Sequence, residues 1–184
     1  MRLGWVLYGA LLLAGCASSS PYTYYVYPLP FAGDQARYHL DPVAVRLKLG
    51  SGAIKGDSTF ANQAELQQEF TAALKRYLKQ DNLLATAADT QAADIKIDIA
   101  YKRNYSFGGH SLVKPDVSHQ VLIEKAGKKL ADIHRSHYTT KYGAFKDAAV
   151  DFEIAAFSWD EKDEPKDVDL IAKNIVGQIA KASR

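Results

Sequence analysis

The chain has 184 residues, with 23 Lys and Arg against 21 Asp and Glu, and its formal net charge is +2. This length suits one domain, and 47% hydrophobic with 24% charged residues excludes an intrinsically disordered chain. The near-zero net charge gives no sign of nucleic-acid binding, and the single cysteine excludes an intramolecular disulfide and a cysteine-based zinc site.

The N-terminus carries the strongest signal in the sequence. Arg2 precedes an apolar run from Leu3 to Leu13, which is too short to span a bilayer and has the length of a signal-peptide core. The run ends in Leu13-Ala14-Gly15-Cys16, which resembles the lipobox of bacterial lipoproteins. An ordinary secretory signal followed by a chance cysteine is the alternative.

The lipobox resemblance implies a set of modifications. Residues 1–15 would be a signal peptide cut between Gly15 and Cys16, and Cys16 would carry diacylglycerol on sulfur and an acyl chain such as palmitate on nitrogen. The membrane is then a partner through that lipid. Ala17, in place of Asp, implies sorting to the outer membrane with the domain facing the periplasm in a Gram-negative host, and to the cell membrane in other hosts.

Residues 16–40 are predicted to be the lipidated cysteine, a short tether and a tyrosine-rich segment. Tyr22, Tyr24, Tyr25 and Tyr27 favour a strand, and an interfacial anchor beside the lipid is the alternative. A single domain is predicted over 41–184, and its first strand is indicated by the alternation over Val43 to Leu49.

The predicted elements continue with a helix and a run of strands. Asn62 with Glu65 fits a helix N-terminus, and an apolar stripe through Leu74 follows at helical spacing. Ile95 to Tyr101 alternate as a strand, and 104–115 is predicted to be a loop. A hairpin is predicted from 117–123 and 130–142, with Gly127 in a bulged turn that sets His119 opposite Ile133.

The last part of the chain contains one ambiguous segment and one clear helix. Phe145 to Trp159 fits either a strand or a helix that has Val150, Ile154 and Phe157 on one face. Pro165 can begin a final helix, whose apolar stripe passes through Ile175. The predicted fold class is α+β: a two-layer sandwich of a mainly antiparallel sheet with two amphipathic helices on one face.

This order of elements resembles a broad class of small envelope lipoproteins. Some of them are similar to the N-terminal domain of the TolB periplasmic protein, others are auxiliary lipoproteins of envelope transport and assembly machines, and many have no known function. The resemblance covers about residues 40–182 and rests on pattern. It implies a protein partner in the cell envelope.

The histidines suggest one alternative function, a periplasmic metal-binding or hydrolytic protein that uses His119, His134 and His137. A two-residue turn would pair His119 with His134 across the hairpin, whereas the favoured bulged turn does not. The acidic run over 160–164 lacks the spacing and glycine of a calcium loop, and acidic residues there favour the start of a helix.

No motif for catalysis is apparent. The serines lie in neither a Gly-x-Ser-x-Gly elbow nor a Ser-x-x-Lys pair, and the lipid would consume the Cys16 thiol. We therefore expect no catalytic residue, no metal and no cofactor. The predicted function is a non-catalytic binding or accessory role in an envelope complex, with Tyr105 and Phe107 as the partner contact.

Overall fold

The computed structural model describes residues 36–106 and 108–183. The lipobox, Cys16, the tyrosine-rich segment and Phe107 lie outside the described residues. The elements are β1 (Tyr38–Leu40), β2 (Ala44–Leu49), α1 (Gln63–Gln80), β3 (Ala93–Tyr105), β4 (Leu112–Lys125), β5 (Lys128–Tyr138), α2 (Ala144–Ala155) and α3 (Glu164–Ala182).

The strands form one sheet around β3. β1 and β2 pair in parallel with successive stretches of β3 on one side, and β4 then β5 follow in antiparallel order on the other side. The parallel edge arises because α1 carries the chain from β2 back to the start of β3, as a crossover connection requires. β1 precedes residue 41, where we expected the domain to begin.

Two helices cover one face of this sheet. α1 and α3 pack against each other, and their stripe residues Leu74 and Ile175 are fully buried with Ile97 and Ile99 of β3. The opposite face carries Lys96, Asp98 and other polar side chains, because alternate residues of a strand point to opposite faces. The predicted two-layer α+β sandwich is confirmed.

The start of α1 also follows the prediction. The Asn62 side chain accepts hydrogen bonds from the backbone amides of Ala64 and Glu65, at 2.9 and 3.1 Å. The backbone amide of Asn62 in turn donates to the Glu65 carboxylate at 2.8 Å, which completes a capping box.

The ambiguous segment is a helix, α2, which lies apart from the main core. Its Val150 joins a second, small core with Phe60, Leu112 and Trp159. The backbone amide of Leu112 donates to the carbonyl of Trp159 at 2.7 Å, which ties the turn after α2 to the start of β4. The strand alternative is therefore wrong for this segment.

The sheet has two distinct ends. The near end holds the start of β1 and the end of α3, where the hydroxyl of Ser183, the residue directly after α3, lies 2.5 Å from the Tyr38 hydroxyl. The far end holds the turn between Tyr105 and Leu112, the second core and α2. β3 has 13 residues and spans about 40 Å between these ends.

None of the helices in the described part of the chain is long and apolar enough to cross a membrane.

Candidate functional site

The outward side of α2 is made of apolar residues alone. We call this side the phenylalanine face; it comprises Phe145, Ala148, Ala149, Phe152 and Ala156, which share one side of the helix at 3.6 residues per turn. The exposed fractions of Phe145 and Phe152 are 95% and 74%. Large apolar side chains gathered in one exposed patch are typical of an interaction site.

The inward side of α2 explains why the phenylalanines face solvent. Val150 is buried in the second core, and Ile154 packs against it from the next turn. The ammonium group of Lys114, on β4, lies 3.1 Å from Asp147 and 2.7 Å from Asp151. These contacts fix the rotation of α2 about its axis, so that the phenylalanine face cannot turn toward the core without breaking them.

The turn directly after α2 adds a third exposed phenylalanine. Phe157 is 59% exposed and has a φ of 57°, in the left-handed region. The amides of Phe157 and Ser158 donate to the carbonyls of Ile154 and Glu153, at 3.0 and 2.9 Å, which is the Schellman arrangement that usually places glycine at this position. A phenylalanine that strains the backbone and buries little of its surface indicates a role other than folding.

The predicted contact loop also lies at the far end. Tyr105 is half-buried and packs edge-on against Phe60, with 5.5 Å between the ring centroids. Gly109 approaches the carbonyl of Gly52 so closely that a Cβ there would lie 2.4 Å from that oxygen. The loop is thus fixed against its neighbour, and Tyr105 contributes to packing. Its role in partner contact stays a prediction.

A buried polar network at the start of α3 escaped the sequence analysis. Arg103 donates to both carboxylate oxygens of Glu164, at 2.6 and 2.8 Å, and to the carbonyl of Ala61 at 2.6 Å. Burial raises the pKa of Glu164, and the Arg103 guanidinium opposes that rise. Asp167 accepts from Tyr142 at 2.7 Å and from Trp159 at 3.3 Å, which opposes the rise in pKa that its burial causes.

The predicted bulged turn is wrong and the alternative two-residue turn forms, but neither register places His119 correctly. Ala126 and Gly127 form a two-residue turn with positive φ at both positions, so that Lys125 pairs with Lys128. A register shift between Ile123 and Glu124 then sets His119 opposite Arg135, rather than opposite Ile133 or His134. The shift adds one residue to β5, and nothing in the alternation of the sequence indicated it.

The structure does not bring the three histidines together. His119 is 4% exposed on the inner face, His134 is exposed opposite Gln120 on the outer face, and the Nδ1 atom of His137 lies 3.3 Å from Asp116. Within residues 36–106 and 108–183, no group of three or more His, Cys, Asp or Glu could hold a metal ion.

His119 belongs instead to the core between β4 and α3. Its Nδ1 and Nε2 atoms lie 2.7 Å from the Tyr138 hydroxyl and 3.2 Å from the Gln178 side-chain oxygen. Burial lowers the pKa of His119 to about 4, although the Gln178 hydrogen bond opposes that change. The neutral imidazole is therefore the form that this core accepts.

No family model matches the chain, and no curated protein matches it. The chain is similar to several solved structures, including the following three. A minor lipoprotein from Acinetobacter baumannii is 16% identical, with a TM-score of 0.39, and the match covers 76% of this chain and 91% of that one. A Xanthomonas campestris protein of the DUF330 family is 14% identical, with a TM-score of 0.44 and coverage of 88% and 94%. Rare lipoprotein B from Shewanella oneidensis is 11% identical, with a TM-score of 0.30 and coverage of 75% and 94%.

Proposed function

We propose that the chain is a lipid-anchored lipoprotein of the cell envelope that acts by binding, as a non-catalytic accessory component, and that it binds at the far end of its domain. The phenylalanine face is the observation that carries this proposal. It exposes two large aromatic side chains on a helix whose rotation is fixed by Val150 and Lys114. Aromatic side chains in such positions are enriched among the residues that dominate binding energy.

The position of the two ends supports the same proposal. The N-terminal segment enters the described structure at Ala36, at the near end, whereas α2 lies at the far end. The 20 residues from Cys16 to 35 could extend over about 70 Å at most. A membrane anchor at Cys16 therefore leaves the far end free to face the periplasm of a Gram-negative cell, with the outer membrane as the proposed location.

The anchor is tested by labelling cells with a palmitate analogue. We expect the wild-type chain to be labelled and to sediment with membranes, and the Cys16→Ser chain to be unlabelled and uncut. Ser20→Ala, a change in the tether, is the matched control and should leave the label unchanged. Labelling of the Cys16→Ser chain would exclude the lipobox.

The binding role is tested in intact cells with a photoreactive phenylalanine. Benzoylphenylalanine in place of Phe152 should give covalent protein adducts on irradiation, because that ring lies within the contact. The same group in place of Lys128, which is exposed at the start of β5 at the near end, should give few protein adducts. Equal yields of protein adduct at the two positions would exclude the phenylalanine face as a binding surface.

A further inference from the structure

We propose that the phenylalanine face binds the same face of a second copy of this chain, with the two α2 helices antiparallel across a twofold axis. This inference rests on the proposed function only in taking the face as a binding surface. It leaves the loop with Tyr105 and Phe107 for a different partner.

The face is complementary to itself in shape. A twofold interface brings the same patch of both copies together, so large residues need small ones at the symmetric positions. The antiparallel register that places Phe152 opposite Ala149 of the second copy also places Phe145 opposite Ala156. Each copy thus offers two rings and two alanine positions that receive them.

The charges beside the face fit the same register. Lys146 and Glu153 lie seven residues apart, on one flank of α2. A twofold axis reverses the direction of α2 in the second copy, so that each flank of the helix faces the same flank of the other copy. Lys146 of one copy and Glu153 of the other are then offset by only two residues, which is about 3 Å along the helix axis. Two symmetric ion pairs follow.

The opposite flank carries one carboxylate, which shares the ammonium group of Lys114 with Asp147. Asp151 lies there, and the ammonium group of Lys114 holds it at 2.7 Å within the same copy. No other charged residue of α2 lies beside the outward face, because Asp147 is directed inward to Lys114 and to the amide of Tyr142. The shape of the face and the ion pairs of the Lys146 flank therefore both favour a second copy as the occupant.

The size of the face sets the strength of the contact. A helix of 12 residues is about 18 Å long. One side of such a helix buries less surface than the roughly 800 Å² per partner of an interface of standard size. We therefore expect a weak dimer in dilute solution. Confinement of both copies to one membrane raises their effective concentration and favours the dimer there.

The test uses two differently tagged full-length copies in one cell, with benzoylphenylalanine in place of Phe152 of the first copy, where a ring already lies opposite Ala149 of the second. Irradiation should give an adduct that carries both tags. Lys146→Glu or Glu153→Lys, made in both copies, should each lower its yield at least fivefold, since either change sets like charges together. The two changes combined should restore the yield, and Lys128→Glu is the control that should not alter it.

Other outcomes overturn the inference. An adduct with both tags that ignores Lys146 and Glu153 excludes this antiparallel register. An adduct with a different protein, with lipid, or with the first copy's own N-terminal segment excludes a second copy as the occupant, while a protein adduct still supports the binding role. The absence of any adduct excludes the pairing with a second copy and the binding role of the phenylalanine face. Melting temperatures of the variants identify losses that come from unfolding.

Discussion

Asn82 and Phe157 occupy equivalent positions after two helices, but only the asparagine suits the backbone conformation there. Asn82 and Phe157 follow α1 and α2, and both have a left-handed φ, of 56° and 57°. Asparagine tolerates this conformation, because its short side chain forms local hydrogen bonds. Phenylalanine gains no such bond and is exposed here. Its presence fits the binding role that we propose for α2 better than a role in the fold.

His119 provides a pH dependence that belongs to one side chain. The folded pKa of about 4 lies below the ordinary value of 6.5, so the stability is complete above pH 6.5 and is lost as the pH falls toward 4. Between pH 7 and pH 5 the loss amounts to about 2 kcal/mol. Urea unfolding of wild type and His119→Gln should show that the variant lacks this part of the pH dependence.

His134→Gln is the matched control, because His134 is exposed on the outer face. Its unfolding free energy should follow that of the wild type at both pH values. If His119→Gln also follows the wild type, the buried imidazole is not the group that titrates.

At the scale of elements, one ion pair joins the end of β3 to the start of α3. Arg103 and Glu164 have side chains that are 4% and 2% exposed, and Arg103 also holds the carbonyl of Ala61 beside α1. The pair thus fixes three elements at the far end. Removing one member leaves a buried charge without its partner, which costs more than removing both.

We therefore expect Glu164→Gln and Arg103→Met each to lower the free energy of unfolding by about 3 kcal/mol or more. The double variant Arg103→Met with Glu164→Met should lose less than the sum of the single changes. Urea denaturation of the four proteins measures this cycle. Strictly additive losses would show that the two groups do not interact.

At the scale of the whole molecule, the two faces of the sheet differ in how well they tolerate polar substitutions. Leu74 and Ile175 are fully buried on the inner face, so Leu74→Asp or Ile175→Asp should lower the unfolding free energy by several kcal/mol, about 3 or more. Leu122, half-buried on the outer face, is the matched position. Thermal unfolding should show that Leu122→Gln costs far less, and an equal cost would mean that the outer face is covered.

The sequence predicted those parts of the fold that depend on local periodicity. Asn62 and Glu65 identified the start of α1, and the alternation over Ile95 to Tyr101 identified β3. The hairpin register was not predictable, because one extra residue of β5, between Lys129 and Ala131, changes every later pair along that strand. The buried partner of Glu164 was also missed, since Arg103 lies 61 residues away in the chain. The phenylalanine face needed the structure, which decided that Phe145 to Trp159 is a helix and which side it buries.

The two edges of the sheet affect how readily crowded copies of the chain aggregate. An unpaired strand at a border invites a neighbouring chain to add to it, which leads to aggregation. On one border the edge is broken between β1 and β2, and the Gln63 side chain accepts from the Leu47 amide at 3.3 Å. On the other, β5 is interrupted by two register shifts and carries Lys128 and Lys129. These features disfavour strand-to-strand pairing between copies that are concentrated on one surface, even when they collide often.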